Sequence, residues 1–178
     1  MTSNSQAAPA VPYPDIATLA PALQDAVASR RSLNVFRMLM HSPAQSAGFL
    51  ALSDSLRHDN SLPPPLRELA ILRVCHVYGA AYAAHHHAKR ARLEGLPEPA
   101  IAAAREEAGA APSAAEAAIL AWTDALLADH RLPAGQREAF LAQYSPQQLE
   151  DFVFTVGFFQ LVCNFLNTFE VQVEAEHA

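Results

Sequence analysis

Alanine makes up about a fifth of these 178 residues, while β-branched residues are scattered and rarely alternate with polar ones. Alanine loses the least on entering a helix, and a half-buried strand needs strict alternation, so the chain is predicted to be all-α, with about eight helices. Proline, glycine and capping residues then divide it. Ile16, Leu19, Leu23, Ala26 and Val27 recur at three- and four-residue spacing and predict a helix over Asp15–Ser29. Leu33–Met40 is a short apolar segment. Ser42-Pro43 reads as a cap with proline at the first helical position, opening a helix that ends near His58-Asp59-Asn60. Pro63-Pro64-Pro65 leads into a strong helix over Leu66–Val77. Gly79 offers a bend before Ala80–Leu93, which should stop at a left-handed Gly95. Glu98–Glu107 reads as a short helix and Gly109–Pro112 as a connection. Ser113 and Glu116 match a capping box for Ala114–Ala128. A helix through Phe140 follows Leu132-Pro133, and Ser145-Pro146 opens the longest one, to about Glu174. Residues 1–14 are expected to form a loosely ordered arm before a single domain over 15–178.

Apolar residues form 51% of the chain and charged ones 17%, enough to bury a sizeable core and to exclude disorder throughout. The net charge of −6, with no Lys/Arg-rich stretch, offers phosphate backbones no surface, so nucleic acid is not an expected partner. No uninterrupted apolar run reaches the roughly 18 residues of a membrane span. The richest, Phe152–Leu166, contains Gly157, Gln160 and Asn164 and reads as a core or interface helix. The N-terminal stretch lacks the basic start and apolar segment of a signal peptide, and two cysteines, Cys75 and Cys163, build no disulfide framework. A cytoplasmic protein without membrane association is expected.

Chemistry concentrates in two consecutive helices. Glu68, Ile71, Leu72 and Cys75 share one face, so a carboxylate stands in an apolar stripe. Such a group must pair with a base or hydrogen-bond donor, or have its pKa raised by desolvation. A structural ion pair with Arg67 or Arg73 would satisfy it without catalysis. In the next helix His85, His86 and His87 differ by about 100° each and must point in three directions. That contiguity lacks the i, i+4 spacing that brings two imidazoles onto one ion, so no metal site is expected even with His76 nearby. His87 shares a face with Ala80, Ala83, Ala84 and Ala91, small residues that would leave room beside the imidazole for a ligand. Cys75 and Cys163 read as packing, because a thiol turns reactive only where neighbours stabilise the thiolate.

Arg67-Glu68-Leu69-Ala70-Ile71-Leu72-Arg73-Val74, then Tyr82, His87 and Ala91 ahead of Glu94-Gly95-Leu96, resemble the signature of the carboxymuconolactone decarboxylase and alkylhydroperoxidase D-like family. The likeness extends over roughly residues 15–175. It implies an all-α fold assembled into trimers or hexamers, with the site on these two helices. The peroxidase branch of that family carries a Cys-x-x-Cys pair twelve and fifteen residues after the glutamate. Those positions are Ala80 and Ala83 here, so dithiol peroxidase activity is not implied.

The decarboxylase branch works without a metal or organic cofactor, which makes none the expectation here. The resemblance therefore implies a cofactor-independent acid/base enzyme on a small carboxylated, lactone or carbonyl substrate. In that reading His87 moves a proton, Glu68 orients it and Tyr82 donates a hydrogen bond to the substrate. In the decarboxylase branch a Glu-Trp pair follows the tyrosine, where this chain has Ala83-Ala84, so the particular lactone does not carry over. The alternatives are a non-catalytic oligomer that binds a small ligand and a divergent alkylhydroperoxidase relying on Cys75. The apolar excess of Phe152–Leu166 points to self-association.

Overall fold

The computed structural model describes residues 8–105 and 113–175, which contain α-helices and one 3₁₀ turn but no strand. In chain order the helices are α1 (Pro21–Ala28), α2 (Asn34–Leu39), α3 (Pro43–His58), α4 (Pro64–Val77) and α5 (Ala81–Leu93). They continue as α6 (Glu98–Ala103), α7 (Ala114–Asp129), α8 (Ala134–Leu141) and α9 (Pro146–Thr168), nine among the described residues. The end of the predicted Glu98–Glu107 helix and the Gly109–Pro112 connection fall outside the described residues.

At the centre stands α4, whose most extensive packing is against α5, α7 and α9. Leu69, Ala70, Ile71, Leu72, Val74 and Cys75 are all buried. An isolated amphipathic stripe would bury only one face, so helices cover α4 from several sides. Trp122, Phe140 and Phe152 add an aromatic cluster to this core, with ring centroids 4.7 Å apart for Trp122–Phe140 and 5.4 Å for Phe140–Phe152.

Glycine and the capping residues act where expected. Gly79 and Gly95 adopt φ of +63° and +85°. Each follows a helix whose last turn is closed by paired bonds: the Ala80 N–H donates to the Cys75 carbonyl and the Leu96 N–H to the Ala91 carbonyl. The turn at Gly79 is short enough to fold α5 back onto α4. Ser113 and Glu116 form their capping box on α7. Ser42 occupies the N-cap of α3, yet its side chain makes no capping bond.

Two boundaries and one exclusion differ from the sequence reading. The predicted Asp15–Ser29 helix is split into a 3₁₀ turn, Ile16–Thr18, and α1. Pro21 disfavours helical backbone in the residue before it, so Ala20 is extended (φ −58°, ψ 143°) and the helix restarts at the proline. The last helix stops at Thr168 rather than near Glu174. Glu170, a non-glycine, takes φ +49°, and the Val171 N–H returns to the Leu166 carbonyl. Both Val171 and Leu166 are buried, an apolar contact that accompanies this type of helix stop. Finally, α9 runs unbroken for 23 residues and has the length and composition of a membrane-crossing helix, which the sequence reading had denied to any segment. Phe152, Val156, Phe159, Val162, Cys163 and Leu166 nevertheless pack one side of it into the core, while Val153, Phe154 and Leu161 lie exposed on the other. Residues 8–14 form no helix, and the Ala10 N–H donates to the Phe169 carbonyl.

The first turn of α9 carries a second capping box, in which the Gln148 N–H donates to Ser145 Oγ and the Ser145 N–H to Gln148 Oε1. Ser145→Ala should lower stability by about 1 kcal/mol, read as a lower urea midpoint with an unchanged slope.

Candidate active site

Glu68 lies in the first half of α4, and its side chain is 5% exposed. Among the described residues its hydrogen-bond partner is His87, whose Nδ1 lies 2.7 Å from Glu68 Oε2. Neither arginine considered from sequence serves: Arg73 instead donates to Asp124 at 2.6 Å. The ring of His87 meets Phe159 of α9 edge-on, with centroids 4.7 Å apart. Carboxylate on one side and aromatic face on the other fix the imidazole plane. Pairing Nδ1–H with the carboxylate leaves Nε2 as the nitrogen that exchanges a proton.

Glu68, His87 and Phe159 line a cavity of about 470 Å³, walled also by Phe36, Leu56 and Ile71. Its charged lining is strongly one-sided. Arg30, Arg31, Arg57, Arg67, Lys89 and Arg90 face two carboxylates, Asp54 and Glu68, although the whole chain carries −6. Arg30 pairs with Asp54 and Arg90 with Glu94. Arg67 is only 6% exposed and, among the described residues, makes no side-chain hydrogen bond or ion pair. Sequence reasoning had placed Arg67 only as a structural partner for Glu68; its neighbour on the helix, Glu68, is occupied by His87.

Tyr82 is not brought into this cavity. Its buried hydroxyl accepts from the Val35 N–H (3.3 Å) and donates to Glu174 Oε1 (2.7 Å), so its one proton is committed within the protein. Burial first, and the Glu174 contact second, push its pKa up. The same carboxylate accepts from the Asn34 N–H at 2.6 Å, and its Oε2 lies 2.9 Å from His86 Nε2. Burial would raise the Glu174 carboxyl, but the Asn34 and Tyr82 donors outweigh it and hold the group below its ordinary value. Burial lowers the pKa of His86. His87 pairs with Glu68 and His86 with Glu174, both lining the cavity, while His85 faces a separate depression beside Ala84 and Ala88.

The small-residue face of α5 does not line the cavity as expected. Ala83 and Ala91 are buried, because short side chains let α5 approach α4 closely, while Ala80 and Ala84 line a separate depression beside His85. Cys75 is fully buried and is not part of the cavity wall. A contact with the Cys163 thiol, followed by burial, pushes its pKa well above the ordinary thiol value, the opposite of what a peroxide-reducing thiolate needs. Among the described residues no cluster has the makings of a metal site.

Residues 43–125, which hold Glu68, Tyr82 and His87, match the profile of the carboxymuconolactone decarboxylase family. The fold is that of the alkylhydroperoxidase AhpD-like proteins. An AhpD-core, peroxidase-related protein from Ralstonia eutropha JMP134 superimposes with a TM-score of 0.85 at 19% identity, covering 97% of this chain and 95% of its own. A peroxidase-related protein from Silicibacter sp. TM1040 gives 0.83 at 17% identity, covering 99% and 97%. A debrominase solved with 2,3,4-tribromopyrrole gives 0.70 at 17% identity, covering 88% and 87%. No functionally curated protein matches the sequence.

Because the folded Glu174 carboxyl sits below its unfolded value, the stability it lends is present above that unfolded value and is lost as pH falls through the folded one. Tyr82→Phe removes one of its donors. The variant should lose about 1 kcal/mol at pH 7, and urea titrations repeated down to pH 3 should show the difference shrinking.

Proposed function

We propose that the protein is a cofactor-independent acid/base enzyme acting on a small carboxylated lactone or related carbonyl compound in the Glu68–His87 cavity. The observation that carries this reading is the 2.7 Å Glu68–His87 contact in the wall of a cavity of about 470 Å³. A cavity of that size suits a small molecule. Chemistry there is proton transfer, since both cysteines are buried in the core and Ala80 and Ala83 stand where the peroxidase branch has thiols.

In a decarboxylation the substrate's C–C bond breaks, carbon dioxide leaves, and the electron pair stays on the ring carbon, delocalised toward the carbonyl. Protonated His87 then delivers its Nε2 proton to the carbanionic carbon and is reprotonated from solvent. Glu68 holds the Nδ1 proton throughout, fixing the tautomer and stabilising the imidazolium between cycles. Tyr82 acts at one remove, anchoring Glu174.

A second reading is favoured by the depth of the Glu68 carboxylate: a buried acid with one partner also suits a structural pair in a ligand-binding, non-catalytic oligomer. His87→Gln separates the two. Assayed on a pool of carboxylated lactones, the acid/base enzyme should lose turnover by roughly 10²-fold or more with a nearly unchanged melting temperature. The binding protein should show no turnover to lose and a destabilisation of about 3 kcal/mol. Wild-type inactivity across the pool together with that destabilisation would overturn the first reading.

Self-association belongs to the same proposal. Val153, Phe154 and Leu161 on α9 and Leu52 on α3 form the exposed rim of an apolar groove between these helices. A second copy covering it would bury on the order of 2,000 Å² or more per subunit pair. Light scattering at micromolar concentration should give a trimer or hexamer, and a 19.2 kDa monomer would refute it.

A further inference from the structure

Arg67 is the one strongly buried cation of the cavity, and it stands on α4 immediately before the carboxylate that serves His87. A guanidinium removed from water is costly unless an anion meets it. Among the described residues no carboxylate, carbonyl or aromatic face does so, and none of its nitrogens is sealed off without a partner, so they stay open to the cavity they line. The other buried or half-buried arginines behave differently. Arg30 pairs with Asp54, Arg73 with Asp124 and Arg90 with Glu94. A planar five-donor fork left open next to the proton-transfer pair has the chemistry of a carboxylate receptor.

We infer that Arg67 is the anion anchor of this cavity, binding the carboxylate of a small organic acid and thereby setting which substrates are positioned against His87. The positioning against His87 rests on the acid/base reading, whereas the anchoring itself is a binding property. The surrounding excess of positive charge draws anions into the cavity, while burial gives Arg67 the short, desolvated contact that distinguishes one anion from another. Arg67 is therefore a specificity-determining residue. It moves no proton.

The probes are 5-oxotetrahydrofuran-2-carboxylate and its methyl ester, which share a shape and differ in charge. Titration calorimetry on the wild type should show the acid bound at least tenfold more tightly than the ester. In Arg67→Met that preference should disappear, with ester affinity retained. In Arg67→Lys, which keeps the charge but not the fork and guards against a methionine variant that does not fold, it should fall to a fraction of the wild-type ratio. Arg137→Gln, an exposed change on α8 outside the cavity, should leave the ratio in place. A wild type that binds acid and ester equally, or binds neither, overturns the assignment, as does a folded Arg67→Lys or Arg67→Met that keeps the full preference. His87→Gln separates this from the proposed function. Its preference for the acid should persist; a wild type that prefers the acid but turns over no carboxylated lactone would refute acid/base catalysis alone, and a wild type that turns over carboxylated lactones yet binds acid and ester equally would refute the anchor alone.

Discussion

The burial of α4 is the constraint on which the remaining structure depends. With Leu69 to Leu72 and Val74 to Cys75 all withdrawn from water, α5, α7 and α9 must each supply an apolar surface, and the helix has no polar face left on which to carry charge cheaply. Arg67 and Glu68, both on this helix, are drawn inside with it. Two ionisable groups next to each other in the chain, pointing apart on the helix, then need separate solutions. Glu68 finds His87 across the α4–α5 interface. Arg67 opens onto the cavity. The site is thus a consequence of the core rather than a graft on the surface.

The alanines of α5 belong to the same constraint. The Glu68–His87 bond requires α5 to lie close against α4, and Ala80, Ala83 and Ala91 permit it by presenting almost no side chain. Two of these are the positions at which the peroxidase branch of the family places thiols. Alanine at these positions carries no thiol and leaves the close packing of α5 on α4. The two cysteines that remain face each other in the core, where burial and mutual contact keep the Cys75 proton in place.

Most helices were legible because their signals are local. Glycine with positive φ at Gly79 and Gly95, the capping box at Ser113, and prolines at the first helical positions each act within four residues. What could not be read was non-local. The end of α9 has no glycine to mark it; it depends on Glu170 accepting φ +49° so that Val171 can reach its buried seat. The small-residue face of α5 was taken as empty space because periodicity says which side chains share a face, and not what stands opposite. Glu68 and His87 were found through spacing and family likeness, whereas the open guanidinium of Arg67 needed the positions of every other carboxylate.

That early stop of α9 carries the last structural step. Had the helix continued, Glu174 would have travelled with it, away from α2 and α5. Turning at Glu170 instead returns Glu174 to a point where it accepts from the Asn34 amide and the Tyr82 hydroxyl and stands beside His86. One carboxylate thereby ties together the C-terminal segment, the start of α2 and the middle of α5. His86 and His87 are adjacent on α5 and pair with different acids, so Glu174 restrains the helix one position before the residue that meets Glu68. Tyr82, which the family resemblance singled out, belongs to this tie. Its influence on the site runs through the placement of α5, and the Glu68–His87 pair is held between two anchors, the apolar interface with α4 and the polar knot at Glu174.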